Sequence, residues 1–141
     1  MKATTTIILA FLLLACGTGP QPINYGSDAC HFCKMTIVDK PFGCEMVTSQ
    51  GKVTKYDAIE CLVAHFKASG SDTTNSIYVA DFASPGTLFD GKQATYLHCE
   101  AIPSPMGAFL SAHRNAMNAE KAQGGNAGIL HDWEELLTSN Y

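Results

Sequence analysis

The sequence predicts an α+β fold, a small single domain behind an N-terminal export leader, in which groups of strands are broken by helices. Three observations carry this. Short runs holding Val, Ile, Thr, Tyr and Phe recur between turn residues, as strands do. One segment, residues 57–70, has apolar spacing of helical period with end signals on both sides. The order of the signals suggests that a hairpin, a helix and a strand occur twice.

Residues 32–39 alternate polarity loosely and read as a strand. Pro41 and Gly43 mark a turn, residues 44–49 a second strand, and Gln50-Gly51-Lys52 a hairpin turn into residues 53–56. Asp57 opens the clearest helix. It is placed to cap, Glu60 follows three residues later as in a capping box, and Gly70 ends the segment. Ile59, Leu62, Val63 and Phe66 form its apolar stripe. A polar loop (69–75) leads to strands over 77–82, 87–89 and 94–99. Ser104-Pro105 resembles a cap followed by proline at the first helical position, with a helical region running to Gln123 and stopped by Gly124-Gly125. Residues 127–131 read as a last strand, and Asp132 caps a short helix carrying Trp133, Leu136 and Leu137.

Lys2 followed by the apolar run 7–14 reads as a signal peptide, since eight residues fall far short of the roughly 20 that span a bilayer as a helix. Leu13-Leu14-Ala15-Cys16 matches the bacterial lipoprotein cleavage pattern. That match implies residues 1–15 as signal peptide, acylation of Cys16, and a Gly/Pro-rich tether within 16–24 ahead of a folded domain over 25–141. Each buried acyl methylene adds about 0.8 kcal/mol, so several chains on one residue anchor it stably. Gly17 lacks the acidic inner-membrane retention signal, so the expected location is the periplasmic face of the envelope, the outer membrane favoured over the inner. An ordinary secreted protein cleaved nearby is the alternative.

Cleavage removes Lys2 and leaves eight basic against thirteen acidic side chains, a charge of −5. No basic run stands out, which argues against a nucleic-acid partner. No nucleophile elbow, P-loop or HExxH motif is present, so catalysis has no support. With Cys16 committed to lipid, Cys30, Cys33, Cys44, Cys61 and Cys99 remain. An odd count in an oxidising compartment leaves at least one thiol free, metal-bound or paired to another protein.

Asp28-Ala29-Cys30-His31-Phe32-Cys33-Lys34-Met35 places two thiols, a thioether and an imidazole in eight residues. Thiolate with thioether is a soft donor set that selects Cu(I). On a strand, Cys33 and Met35 would share a face with Cα atoms about 7 Å apart, and Cys30 could turn inward as a third ligand. Met106, exposed after Ser-Pro and before Gly, is poorly explained by packing and is a further candidate. Rival readings stay open: a Cys30/Cys33 disulfide, structural or redox, a zinc knuckle lacking its second ligand pair, and Met35 as core filler. His31 and His98 are candidates to complete or support a metal site, though surface or second-shell positions suit them better. Cys44 and Met46, a second C-x-M on one strand face, could approach Cys33 and Met35 if the two strands pair, but read better as core. Cys61 and His65, one turn apart opposite the apolar stripe, could pair on a metal, but read better as a semi-exposed thiol and a surface imidazole. Disulfides Cys44–Cys61 or Cys61–Cys99 are also open.

The run 25–66, with Asp28, Cys30, Cys33, Met35, Ile37, Asp39 and Gly43, resembles the NosL family, as do Ser104-Pro105-Met106-Gly107, Gly124-Gly125 and Asp132-Trp133-Glu134-Glu135-Leu136. The resemblance implies a lipoprotein copper chaperone, without enzyme activity, that serves maturation of nitrous-oxide reductase through its assembly apparatus. It implies Cys33 and Met35 as the Cu(I) pair with Met106 approaching them, and two related ββα-type subdomains. The rival functions are a periplasmic thiol-disulfide oxidoreductase using Cys30 and Cys33, and a zinc-binding structural module.

Overall fold

Two antiparallel sheets are built to one plan. The computed structural model describes residues 19–141; the predicted signal peptide and the lipidation site Cys16 lie outside the described residues. The elements run β1 (Cys44–Val47), β2 (Val53–Tyr56), α1 (Ile59–Ala68), β3 (Ser76–Asp81), β4 (Ser84–Asp90), a 3-10 turn (Gly91–Gln93), β5 (Thr95–His98), β6 (Leu110–His113), α2 (Ala116–Gln123), β7 (Ile129–His131) and α3 (Trp133–Thr138). One sheet has the order β2-β1-β3-β4 and the other β6-β5-β7. In each unit a hairpin is followed by a helix, and the strand after the helix pairs antiparallel with the hairpin's first strand. The twofold ββα arrangement expected from the sequence is present.

β1 is central in its sheet and all four of its residues are buried. Cys44 and Met46 are core residues, as their strand pattern indicated. The β1–β2 turn is closed by Gly51 at φ 82°, in the left-handed region that glycine enters without steric cost. The expected stripe Ile59, Leu62, Val63 and Phe66 is buried on α1. It packs into a core shared by both units, where Tyr56, Leu62 and Phe66 meet Tyr96, Leu110 and Trp133. Gly91 is required by close approach: a Cβ there would lie 2.8 Å from Ile77 Cγ2 and 3.0 Å from Tyr96 Oη.

Several elements depart from expectation. Residues 32–39 are not a strand. Cys30 N–H donates to the Met35 carbonyl and Lys34 N–H to the Cys30 carbonyl, which closes residues 31–34 into a turn. Lys34 sits at φ 68°, outside the extended region, and only Thr36 makes a β-bridge, to Ala29. α1 has no side-chain cap: its N-cap is Ala58. A missing cap costs about 1 kcal/mol, whereas each fully buried stripe residue contributes about 1.5–3 kcal/mol, so burial decides the helix. The helix expected from Ser104 is a loop followed by β6; only Ala116–Gln123 is helical, capped by the Asn115 side chain on Asn118 N–H. The short strand expected at 87–89 extends over Ser84–Asp90. α3 begins with the expected Asp132 cap, in a full capping box with Glu135. Of the segment assigned to a tether, residues 21–24 already engage the fold: Gln21 N–H donates to Glu45 Oε2 at 2.8 Å, and Ile23 joins the core.

Candidate metal centre

The turn at residues 30–35 packs against the first turn of α1, on the side opposite the apolar stripe, at Cys61. This turn places Cys30 and Cys33 against Cys61, whose position in the first turn of α1 suggested a semi-exposed thiol. Cys61 is instead 1% exposed. The sulfurs of Cys30, Cys33 and Cys61 lie within 4.8 Å of one another. A single ion with metal–sulfur bonds near 2.3 Å in a trigonal site holds its sulfurs about 4.0 Å apart, so small side-chain rotations would bring all three into contact with it. Cys30 and Cys61 are buried and Cys33 is half-buried, which makes Cys33 the accessible member. All five cysteines of the described residues are unpaired.

The cluster is electrostatically prepared for a cation. The Cys61 thiol, as hydrogen-bond donor, is the largest influence on Cys30 and holds its pKa far below the ordinary thiol value. Burial opposes this, while the backbone N–H groups of Asp57, Cys33 and Phe32 add to it. Cys61 is driven the other way, first by its bond to Cys30 and then by burial. Each thiol therefore shifts the other, Cys30 toward the thiolate and Cys61 toward the protonated form. Thiolate is the form that ligates metal. Asp57, freed from capping, is buried nearby with Oδ1 unpartnered, and its carboxyl is raised by burial and by the Cys30 charge.

Met106 reaches this site through Glu60. Glu60 Oε1 accepts from the Ser104 hydroxyl and, at 3.3 Å, from Ala108 N–H. Ser104 Oγ accepts from Phe109 N–H at 2.9 Å. These bonds tie the Ser104-Pro105-Met106-Gly107 loop to α1 one residue before Cys61. Met106, 43% exposed, then lines a cavity of about 190 Å³ with Phe32, Glu60, Cys61 and Ala108. Met35 is 54% exposed at the end of the turn that carries Cys33. Lys34 is folded back on this turn, its ammonium donating to the His31 carbonyl.

His31 lies beside the cluster, its ring centroid 4.7 Å from that of His65. His98 is on β5 and lines a separate cavity with Glu100, Ala101 and residues 126–129, none of them thiols. Sequence reasoning missed Cys61 as a partner of the motif. Its signal was the odd thiol count together with its place just after Asp57, but helical period alone assigned that face to solvent.

The NosL family model matches residues 22–140. Among solved structures, the crystal structure of the copper chaperone NosL from Shewanella denitrificans is similar at a TM-score of 0.73 and 19% identity, covering 84% of this chain and 95% of that one. At that identity the likeness speaks for the fold. No curated protein sequence matches the chain.

Proposed function

This chain belongs to the NosL family, and on that premise we propose that it is a Cu(I) carrier supplying copper for assembly of the nitrous-oxide reductase copper centre. In this reading acylated Cys16 holds it to the membrane facing the periplasm, the outer membrane being favoured, and its protein partner is the reductase assembly apparatus. The observation that carries the proposal is the triad of sulfurs within 4.8 Å, opening outward through half-buried Cys33. An all-sulfur donor set favours Cu(I) over harder divalent ions. Cys30, Cys61 and Cys33 hold the ion, while exposed Met106 and Met35 offer thioethers for capture and release. In stepwise exchange from thiolates to thioethers to a partner's ligands, each new copper–ligand bond replaces one that breaks, the freed thiolates regain their protons, and no covalent bond of the protein changes.

Two rival readings find less support. A thiol oxidoreductase using Cys30 and Cys33 needs both thiols within reach of a substrate disulfide, yet Cys30 is 1% exposed. A closed structural zinc site takes four ligands, and the cluster offers three.

The test is a Cu(I) titration of the reduced protein against a competing chelator. One equivalent should bind tightly. Cys33→Ser with Met35→Ala should abolish this, and Cys61→Ser should weaken it by roughly 10–100-fold, at least what an outer-shell contact contributes. Stoichiometric tight binding that survives the Cys33/Met35 double substitution would sink the assignment.

A further inference from the structure

We propose that the second ββα unit carries a binding site of its own, a cavity between α2 and the β3–β4 turn that takes a small organic carboxylate. The cavity has a volume of about 280 Å³ and is lined by Phe82, Ala83, His113, Asn118, Lys121 and Ala122. Its place follows from the twofold plan. Each hairpin's second strand ends three residues before its helix begins, at Tyr56 and Ile59 in one unit and at His113 and Ala116 in the other. The ladders agree: Tyr56 pairs with Cys44, the first residue of β1, and His113 with Thr95, the first of β5. On that alignment His113 stands where Tyr56 does, and Asn118 where Cys61 does. The cavity is therefore the second unit's counterpart of the space that the 30–35 turn fills with sulfur.

The polar groups around this cavity lack acceptors. His113 is fully buried, yet its Nδ1 has no hydrogen-bond partner, and a buried polar group in a folded protein ordinarily has one. Its Nε2 lies 2.9 Å from Ser111 Oγ. A hydroxyl serves as donor or acceptor, so Ser111 accommodates the tautomer that carries the proton on Nδ1. Burial favours the neutral ring. The Asn118 amide and the Lys121 ammonium likewise have no acceptor among the described residues. No carboxylate lines the cavity. Asp81, the acidic group that acts on His113, is engaged elsewhere, accepting from Ala83 N–H at 3.1 Å and from Arg114 Nε at 3.0 Å.

Three unengaged donors, one of them cationic, select an anion with more than one acceptor oxygen. The same lysine, with no thiol or carboxylate beside it, disfavours a metal ion. The rest of the wall is apolar. The Phe82 ring leans on His113 at a centroid distance of 5.4 Å, and Ala83 and Ala122 add their methyl groups. Such a wall favours an anion with a hydrocarbon body over a fully hydrated one such as phosphate. Small-molecule sites begin at about 300 Å³, so the body is short, a chain of a few carbons or a single ring. The site shares no residue with the sulfur cluster and stands independently of the carrier reading.

The experiment titrates the isotope-labelled full chain with sodium butyrate and reads nuclear magnetic resonance, with parallel titrations of inorganic phosphate and of butyramide, the uncharged counterpart of butyrate. Butyrate should give saturable shifts at Ala83, His113, Asn118 and Ala122. Butyramide should give none, and phosphate should bind more weakly than butyrate. Lys121→Met, a change at an exposed residue, should weaken butyrate binding roughly tenfold, as loss of a hydrogen bond to a charged group does. The proposal is overturned by equal shifts with butyramide, by tighter binding of phosphate, or by unchanged affinity in Lys121→Met. It is overturned equally if butyrate gives no saturable shift, in which case the partner of His113 Nδ1 is an ordered water only.

Discussion

His113 illustrates how a single buried group makes the fold sensitive to acid. It is fully buried on β6, with Nε2 2.9 Å from Ser111 Oγ and Nδ1 unpartnered. Burial depresses its pKa below 6.5, and Asp81 opposes this weakly. Above the unfolded value both states are neutral and the residue adds no pH dependence. Below it the unfolded chain binds a proton that the folded chain refuses, so stability falls as pH drops toward the folded value. Urea unfolding from about pH 7 to about pH 5 should therefore show decreasing stability, and His113→Leu should flatten the slope. His65, also depressed, first by burial, should leave a residual slope in that variant. Asp28 acts in the opposite range. Its hydrogen bond with Lys55 holds its carboxyl low, and that stabilisation is lost only in stronger acid.

At the scale of elements, the loop bearing Met106 is ordered by one carboxylate. Glu60 accepts from both the Ser104 hydroxyl and the Ala108 amide, so Glu60→Ala should release the loop while α1 keeps its buried stripe. Amide hydrogen exchange should accelerate over residues 104–109 and remain slow in α1, and Cu(I) affinity should fall roughly tenfold. Unchanged exchange in that loop would contradict the role assigned to Glu60. The same residue shows why sequence reasoning found some elements and missed others. Glu60 after Asp57 satisfies the capping-box pattern, yet tertiary hydrogen bonds claimed its side chain. Ser104-Pro105 likewise carries the signature of a helix start, but its serine closes a loop. β6 went unseen because Leu110-Ser111-Ala112-His113 lacks β-branched and aromatic residues. The stripe of α1, the Gly51 hairpin and the Asp132 cap were legible because local chemistry and tertiary packing agree there.

For the whole molecule, the twofold plan was legible in the order of its elements, whereas the candidate metal centre was legible only in part. Cys30, Cys33 and Met35 announce themselves by proximity in sequence. Cys61 joins them because a non-glycine residue, Lys34, takes a left-handed backbone and folds the motif onto the helix, which no pattern of polarity records. All three clustered thiols belong to the first half of the chain, and the second half contributes Met106. The N-terminal connection has a further consequence. Gln21 is fastened to Glu45 and lines a common cavity with Asp28, Ala29 and His31, so the chain enters the fold next to the cysteine-bearing turn. With lipid on Cys16, the intervening chain could extend at most about 18 Å. The protein would then operate as a short-leashed cargo arm: its sulfur mouth sweeps a thin shell above the bilayer, and a recipient has to be in that shell to be served. A flexible insertion after Gly19 should leave Cu(I) affinity unchanged while slowing delivery to a membrane-bound recipient, because a longer leash dilutes the mouth in the volume it explores.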